Sequence, residues 1–333
     1  MSKFTPRFIT ENDVAELVSL NDAIAALERM LAREGQALAC NIPKSLGTFG
    51  PQSSLHALGS YSQDAKLGGF KTWVNTPEGA AAVMSVFDTE LGQFLALIQA
   101  GLLGQLRTAG ISGLATDWLA PADANDMALV GTGRQAMMQV ASIAAVRKLT
   151  RLRVYSPTPE SRGSFVAKAR QIFSFNIVDA ASLGEALDGA EIVTLVTRAQ
   201  TPFVSADMLA DNVHVNAVGA VLPKNGEIEA SVIEKARLVV VDSQDGARQN
   251  SREFKEYFGE EASGWHSVRT IGEVIAEGRK ERPAGLTLFK AMGMGLSDLA
   301  IAEMVLSRAD KLDGVASLCG APGMPNARWT EKA

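Results

Sequence analysis

Three groups of residues in this chain are of types and spacing that could do chemistry. The first is Gly131, Gly133 and Ala136 in "DMALVGTGRQAMMQVAS". They fit G-x-G-x-x-G/A between an apolar strand and a helix. The first glycine permits a tight turn and the second a close approach of backbone to a pyrophosphate. The small third residue lets helix and strand pack, and the helix N-terminus attracts phosphate. Thr132 and Gln135 lie inside the same loop and are expected to touch the dinucleotide. The second group lies about 20 positions on, where an acid normally binds the ribose 2′-hydroxyl of NAD. "VYSPTPESR" has no acid at 155–158 and offers Ser156 and Thr158 as donors, with Arg162 one turn further. That pattern favours NADPH and allows NADH, because no carboxylate repels a 2′-phosphate. The third group is Lys71 in "GGFKTWV" and Arg107 in "LLGQLRTAG", two charges in apolar surroundings. Buried charges need partners. A substrate carboxylate would supply one, and Asp88 or Glu90 would be the internal alternative.

The elements that must hold these groups form two halves. From Asp126 onward, short apolar runs ("MALVG", "RLRVYS", "EIVTLVT", "HVNAVG", "RLVVVD") alternate with helical segments, which predicts a doubly wound parallel sheet covered on both faces. Upstream, "DVAELVSLNDAIAALERMLAREGQALA" has helical apolar spacing with Asn21 or Asp22 as N-cap. Strands are expected from about Ser54 to Leu97, with "DTELGQ" as a hairpin turn, then a helix through "GLLGQLRTAGISGLATDWLA". The last helix, "GLSDLAIAEMVLSRADK", takes Ser297 as cap and points back toward the first half. The fold class is therefore α/β: a Rossmann-type domain over 121–304 after an N-terminal α+β domain over 1–120, which 305–333 joins. "PADAND" marks the boundary.

Composition narrows the classes. A net charge of −5 gives no general pull toward nucleic acid or anionic membrane. Cys40 and Cys319 make no CxxC pair, and His56, His214 and His266 have no metal-ligand spacing, so no metal is expected. The long apolar stretch around residues 81–104 is broken by Asp88 and Glu90, and the N-terminus has no signal-peptide core. A cytoplasmic protein is expected.

The segments "GGFKTWVN", "FDTELGQFLALIQAGLLGQLRTAGISGLATDWLA", "LVGTGRQA", "VNAVGAVLPKNGEIEASVIEKARLVVVDS" and "FKAMGMGLSDLAIAE" together resemble the ornithine cyclodeaminase/mu-crystallin family, in order and over almost the whole chain. The resemblance implies a homodimer whose N-terminal domain supplies both the dimer sheet and the substrate pocket. It implies that Lys71 and Arg107, with Lys44 in "NIPKSLG", clamp a substrate α-carboxylate. It places Thr108 near the cofactor phosphates and Thr197 in the loop after the fourth strand, and it adds Val218, Gly219 and Met294 to the cofactor contacts. One position departs. Where cyclodeaminases and related alanine dehydrogenases carry an aspartate, "NAVGAVLPKNGE" has Val221, which can serve neither as base nor as ammonium partner. Glu227 and Asp298 are the acids that could replace it. Trp73 and Asn75 look like the Δ1-pyrroline-2-carboxylate reductase branch, although a core aromatic explains Trp73 equally well. The expectation is NAD(P)H-dependent reduction of a small cyclic ketimine carboxylate, Δ1-pyrroline-2-carboxylate or its six-membered homologue. An amino-acid dehydrogenase or cyclodeaminase is the alternative, and a non-catalytic, crystallin-like NADPH-binding protein a further one.

Overall fold

A computed structural model describes residues 5–259, 261–312 and 315–318. The Pro/Gly-rich tail from Cys319 lies outside them. The chain runs β1 (Arg7–Ile9), α1 (Glu11–Leu17), α2 (Leu20–Gly35), β2 (Ala39–Phe49), β3 (Ser53–Ser62), β4 (Leu67–Thr76), β5 (Gly79–Asp88), β6 (Gln93–Gln99) and α3 (Gly101–Leu119). It continues through β7 (Asp126–Val130), α4 (Ala136–Val146), β8 (Arg151–Tyr155), α5 (Pro159–Ile172), β9 (Asn176–Asp179), α6 (Leu183–Leu187), β10 (Ile192–Leu195) and β11 (His214–Ala217). The remainder is α7 (Ala230–Lys235), β12 (Leu238–Val241), α8 (Gln244–Asn250), α9 (Arg252–Phe258), β13 (Val268–Thr270), α10 (Ile271–Ala276), β14 (Thr287–Lys290), α11 (Gly295–Arg308) and β15 (Ala316–Ser317).

Strands β7–β14 form one parallel sheet in the order β13-β12-β14-β11-β10-β7-β8-β9. The order reverses between β7 and β10, and a doubly wound sheet opens a binding crevice at that point, beyond the carboxyl ends of its strands. Both faces are covered. Along β7, Met127 and Leu129 join one apolar cluster, while Ala128 and Val130 join another. The N-terminal strands form a mixed sheet, β15-β1-β6-β5-β4-β3-β2. Helices α2, α3 and α11 lie between the sheets, and one apolar core runs from Leu27 and Met84 through Leu299 to Phe289 of the parallel sheet. Helix α3 is buried at every position from Ala109 to Thr116, as a helix enclosed all round must be. A buried polar chain fastens it to the parallel sheet: Thr116 accepts from Asn216, whose Oδ1 meets His214, whose other ring nitrogen meets Thr287.

Three local expectations need correction. The first helical stretch is two helices, broken at Val18–Ser19. Ser19, not Asn21 or Asp22, caps α2, in a box where Ser19 and Asp22 bond each other's backbone N–H. The N-terminal sheet already takes in β1 at Arg7–Ile9, and its antiparallel run starts at Ala39 rather than near Ser54. Strand β2 lacks clean alternation because its register shifts between Ile42 and Ser45, around Pro43, which an edge strand tolerates. Helix α11 begins at Gly295 with Met294 as its cap residue, and Ser297 instead donates to the Met294 carbonyl. The hairpin turn does fall between β5 and β6, where Asp88 Oδ1 accepts from Glu90 and Leu91 N–H.

Candidate active site

A crevice of about 870 Å³ follows the carboxyl ends of the parallel strands and is closed on one side by the N-terminal sheet. Gly131 ends β7 with φ +105°, where a Cβ would stand 2.7 Å from the Val196 carbonyl oxygen. Only glycine makes that turn. Gly133 has open space where its side chain would be, so a ligand can reach the backbone directly. Gln135 is the cap residue of α4, and Ala136 begins that helix fully buried, packed in the cluster under β7 and β8. Thr132 Oγ1 lies 2.8 Å from Ser161 Oγ and ties the loop to α5. The turn, the open approach and the helix start fit a dinucleotide pyrophosphate.

At the β8 end, Tyr155, Ser156, Pro157 and Ser161 line the crevice. Thr158 and Arg162 do not. Thr158 is the cap residue of α5, and the Arg162 guanidinium is paired with Asp179 and donates to the Ser156 carbonyl at 2.9 Å. Arg162 thus shapes Ser156's loop. Besides Lys44 and Arg107, the cations that line the crevice are Arg134 and Arg198. Arg134 stands inside the glycine motif, a signal available in the sequence but not used.

The opposite end holds the cationic cluster. Strand β4 alternates, so Phe70 and Thr72 face outward while Lys71 and Trp73 face the crevice side. Lys71 is 4% exposed, and its Nζ lies 2.6 Å from Asp298 Oδ1 of α11, which is 0% exposed. Arg107 of α3 brings its Nε to 3.2 Å from the same oxygen. The internal partner is therefore Asp298, not Asp88 or Glu90: Asp88 holds the hairpin, and Glu90 pairs with Lys66. Burial, with the nearby Arg107 charge, pushes the Lys71 ammonium down to about 8, against the pull of Asp298. Lys44 is lowered for the same two reasons. The ammonium groups of Lys44 and Lys71 lie 5.5 and 5.1 Å from the Trp73 ring centre, and His56 stacks on that ring at 4.4 Å. Lys71 and Arg107 thus share one carboxylate oxygen, and Lys44 stands beside the same tryptophan ring, a grouping of cations that can take an anionic ligand. Lys44, Trp73, Arg107 and Thr108 line the crevice; Lys71 stands just behind them.

Val221 lines the crevice on the loop after β11, with Val218 and Gly219. Neither of the two acids expected to replace it lines the crevice, where Asp242 is the acid among the lining residues. Both Glu227 oxygens are occupied by the N–H and hydroxyl of Thr197 and the N–H groups of Gly219 and Ala220, and Asp298 is held by the two cations. Thr197 lines the crevice from the loop after β10. Met294 lies outside it, against a small adjoining cavity, with its sulfur 3.7 Å from Asn41 Nδ2. Sequence reasoning missed Asp242, buried at the end of β12, which accepts the N–H groups of Met292 and Gly293 and so shapes another lining loop. An acid after a buried strand is too common to single out. Among the described residues no acid, His and Cys group could hold a metal, and no helix is long and apolar enough to cross a membrane.

A doubly wound sheet with a glycine turn at its switch point, joined to a cationic pocket from a second sheet, defines a dinucleotide-binding oxidoreductase architecture. The profile of the ornithine cyclodeaminase/mu-crystallin family matches residues 5–312, and the chain belongs to that family. It is 27% identical over 314 residues to a Delta(1)-pyrroline-2-carboxylate reductase of Bacillus cereus, covering 90% of this chain and 96% of the relative. It is also 27% identical over 315 residues to an alanine dehydrogenase of Archaeoglobus fulgidus, covering 90% and 94%. The structure of Thermococcus litoralis Delta(1)-pyrroline-2-carboxylate reductase, in complex with NADH and L-proline, has the same fold. Its TM-score is 0.84 at 24% identity, over 92% of this chain and 98% of that one.

Proposed function

We propose that this chain is a nicotinamide-dependent reductase of a small cyclic ketimine carboxylate, with Δ1-pyrroline-2-carboxylate reduced to L-proline as the leading case. The observation that carries the reading is the group of Lys71 and Arg107 on the Asp298 carboxylate with Lys44 beside them at the Trp73 ring, at the far end of a crevice that starts at a dinucleotide turn. Arg107 offers a planar fork and the lysines point charges to a substrate carboxylate. Trp73, Leu58 and Val221 give apolar wall to ring methylenes. Gly131, Gly133 and the start of α4 would hold the pyrophosphate, and the bound nicotinamide supplies a hydride. The atoms balance without a protein acid: a protonated imine that gains a hydride at its C=N carbon is a secondary amine. The chain's share is to bind, orient and exclude water. Val221 supports this reading over an open-chain amine reaction, which needs a group to take a proton from the amine.

We propose NADPH as the preferred cofactor because no acid stands beside Ser156, with NADH also accepted. Ser156→Asp should reverse that preference by about 10-fold or more through charge repulsion. Purified protein mixed with the imine and either cofactor, followed at 340 nm, tests the main reading. Absence of turnover under conditions where a relative's reductase works would sink it, and NAD-dependent oxidation of alanine would replace it with the dehydrogenase reading. We further propose a homodimer in which the outer face of the N-terminal sheet meets a second copy. Leu55, Tyr61, Phe70, Val83 and Phe87 are exposed there, and the strand registers place them on one face, opposite Lys71.

A further inference from the structure

Glu227 has no exposure at all and, among the described residues, no cation within ion-pair distance. It instead accepts four hydrogen bonds: from Thr197 N–H at 2.7 Å, Thr197 Oγ1 at 2.8 Å, Gly219 N–H at 2.8 Å and Ala220 N–H at 3.0 Å. Thr197 belongs to the loop after β10; Gly219 and Ala220 belong to the loop after β11. The two loops are pulled so close that a Cβ on Gly219 would collide with the Thr197 backbone and Glu227 itself. A second buried carboxylate braces the first. Glu253 accepts the N–H groups of Glu227 and Ile228 at 2.6 and 3.0 Å, and its other oxygen lies 2.7 Å from the buried ammonium of Lys290 at the end of β14. Burying two carboxylates is costly compared with an apolar pair of the same volume. Packing alone gives no reason for it. The cost falls where Thr197, Ala199, Val218 and Gly219 form the crevice lining.

We infer that Glu227 is a positioning residue whose carboxylate clasps the loops after β10 and β11 together, setting the floor of the crevice between the glycine turn and the cationic cluster. This rests on the dinucleotide reading above, in which the adenosine half lies at β7 and β8 and the nicotinamide half over β10 and β11. The clasp then governs the nicotinamide half alone.

The test compares wild type with Glu227→Gln, which puts an amide N–H₂ against N–H donors. In the nucleotide-free protein, amide hydrogen exchange should rise at residues 196–200 and 218–222 and stay unchanged in β7 and β8. ADP-ribose affinity should hold within about twofold while kcat falls about 100-fold, the cost of an ångström-scale misplacement. Unchanged exchange in both loops would overturn the clasp. So would equal losses in ADP-ribose binding and turnover, since that pattern marks a general folding role. If Glu227→Gln does not fold, Thr197→Val removes one donor of the four. It should lower kcat about 3- to 10-fold, the worth of one ordinary hydrogen bond, with ADP-ribose binding kept; no change in kcat or exchange would refute the proposal. A wild type that binds no nucleotide would defeat the proposed function, while the exchange comparison would still decide the clasp.

Discussion

Asp298 gives one oxygen to Lys71 and Arg107 together, so the proposed substrate pocket is electrostatically ordered before any ligand arrives. In the proposed clamp Lys71 supplies one charge-assisted contact to the substrate carboxylate, so Lys71→Ala should lower kcat/KM about 10- to 100-fold, read from initial rates at 340 nm. The depressed Lys71 value sets a pH dependence of definite sign. The proposed carboxylate clamp needs the ammonium, so kcat/KM should fall as pH rises through about 8, and the alkaline limb should vanish in Lys71→Arg. Stability moves the other way: between about 8 and 10.5 the unfolded chain binds the extra proton, so this group's contribution to stability grows with pH there. Much of this pocket is readable in the sequence, because a lysine inside "GGFKTWV" demands a partner. Its partner is not readable, because Asp298 is 227 positions away and only folding brings α11 against β4.

At the scale of elements, legibility followed the strength of the local rule. The turn at Gly131 and the β5–β6 hairpin each depend on a few adjacent residues, and both are where the sequence puts them. The α2 start was equally local, since Ser19 and Asp22 form a capping box, but the adjacent Asn21 obscured it. The buried chain from Thr116 through Asn216 and His214 to Thr287 joins elements far apart in sequence, and nothing local announces it. It carries its own prediction. Burial holds the His214 imidazole near 3, so it stays neutral in the folded chain while the unfolded chain protonates below about 6.5. This group's contribution to stability should be complete above pH 6.5 and be lost as pH falls from 6.5 toward 3, by about 1.4 kcal/mol per pH unit. Denaturant titrations of wild type and His214→Gln across that range would measure it; parallel curves would exclude His214 as the source.

Over the whole molecule, the outer face of the N-terminal sheet is the surface with most to hide. Phe70→Glu should convert the proposed dimer to monomer in sedimentation velocity, and an unchanged dimer would move the interface elsewhere. Helix α11 has a different large-scale effect. It starts directly after β14 of the parallel sheet, and its body packs on α2, α3 and strands β2–β4 of the other sheet, inside one continuous core. A hinge that swung the halves apart would have to tear that core open. The chain is accordingly built as a fixed jaw rather than a clapper, and ligands must enter and leave through a mouth of nearly constant width. Scattering profiles with and without nucleotide should superimpose, and the traffic of substrate should be limited by the rim loops alone.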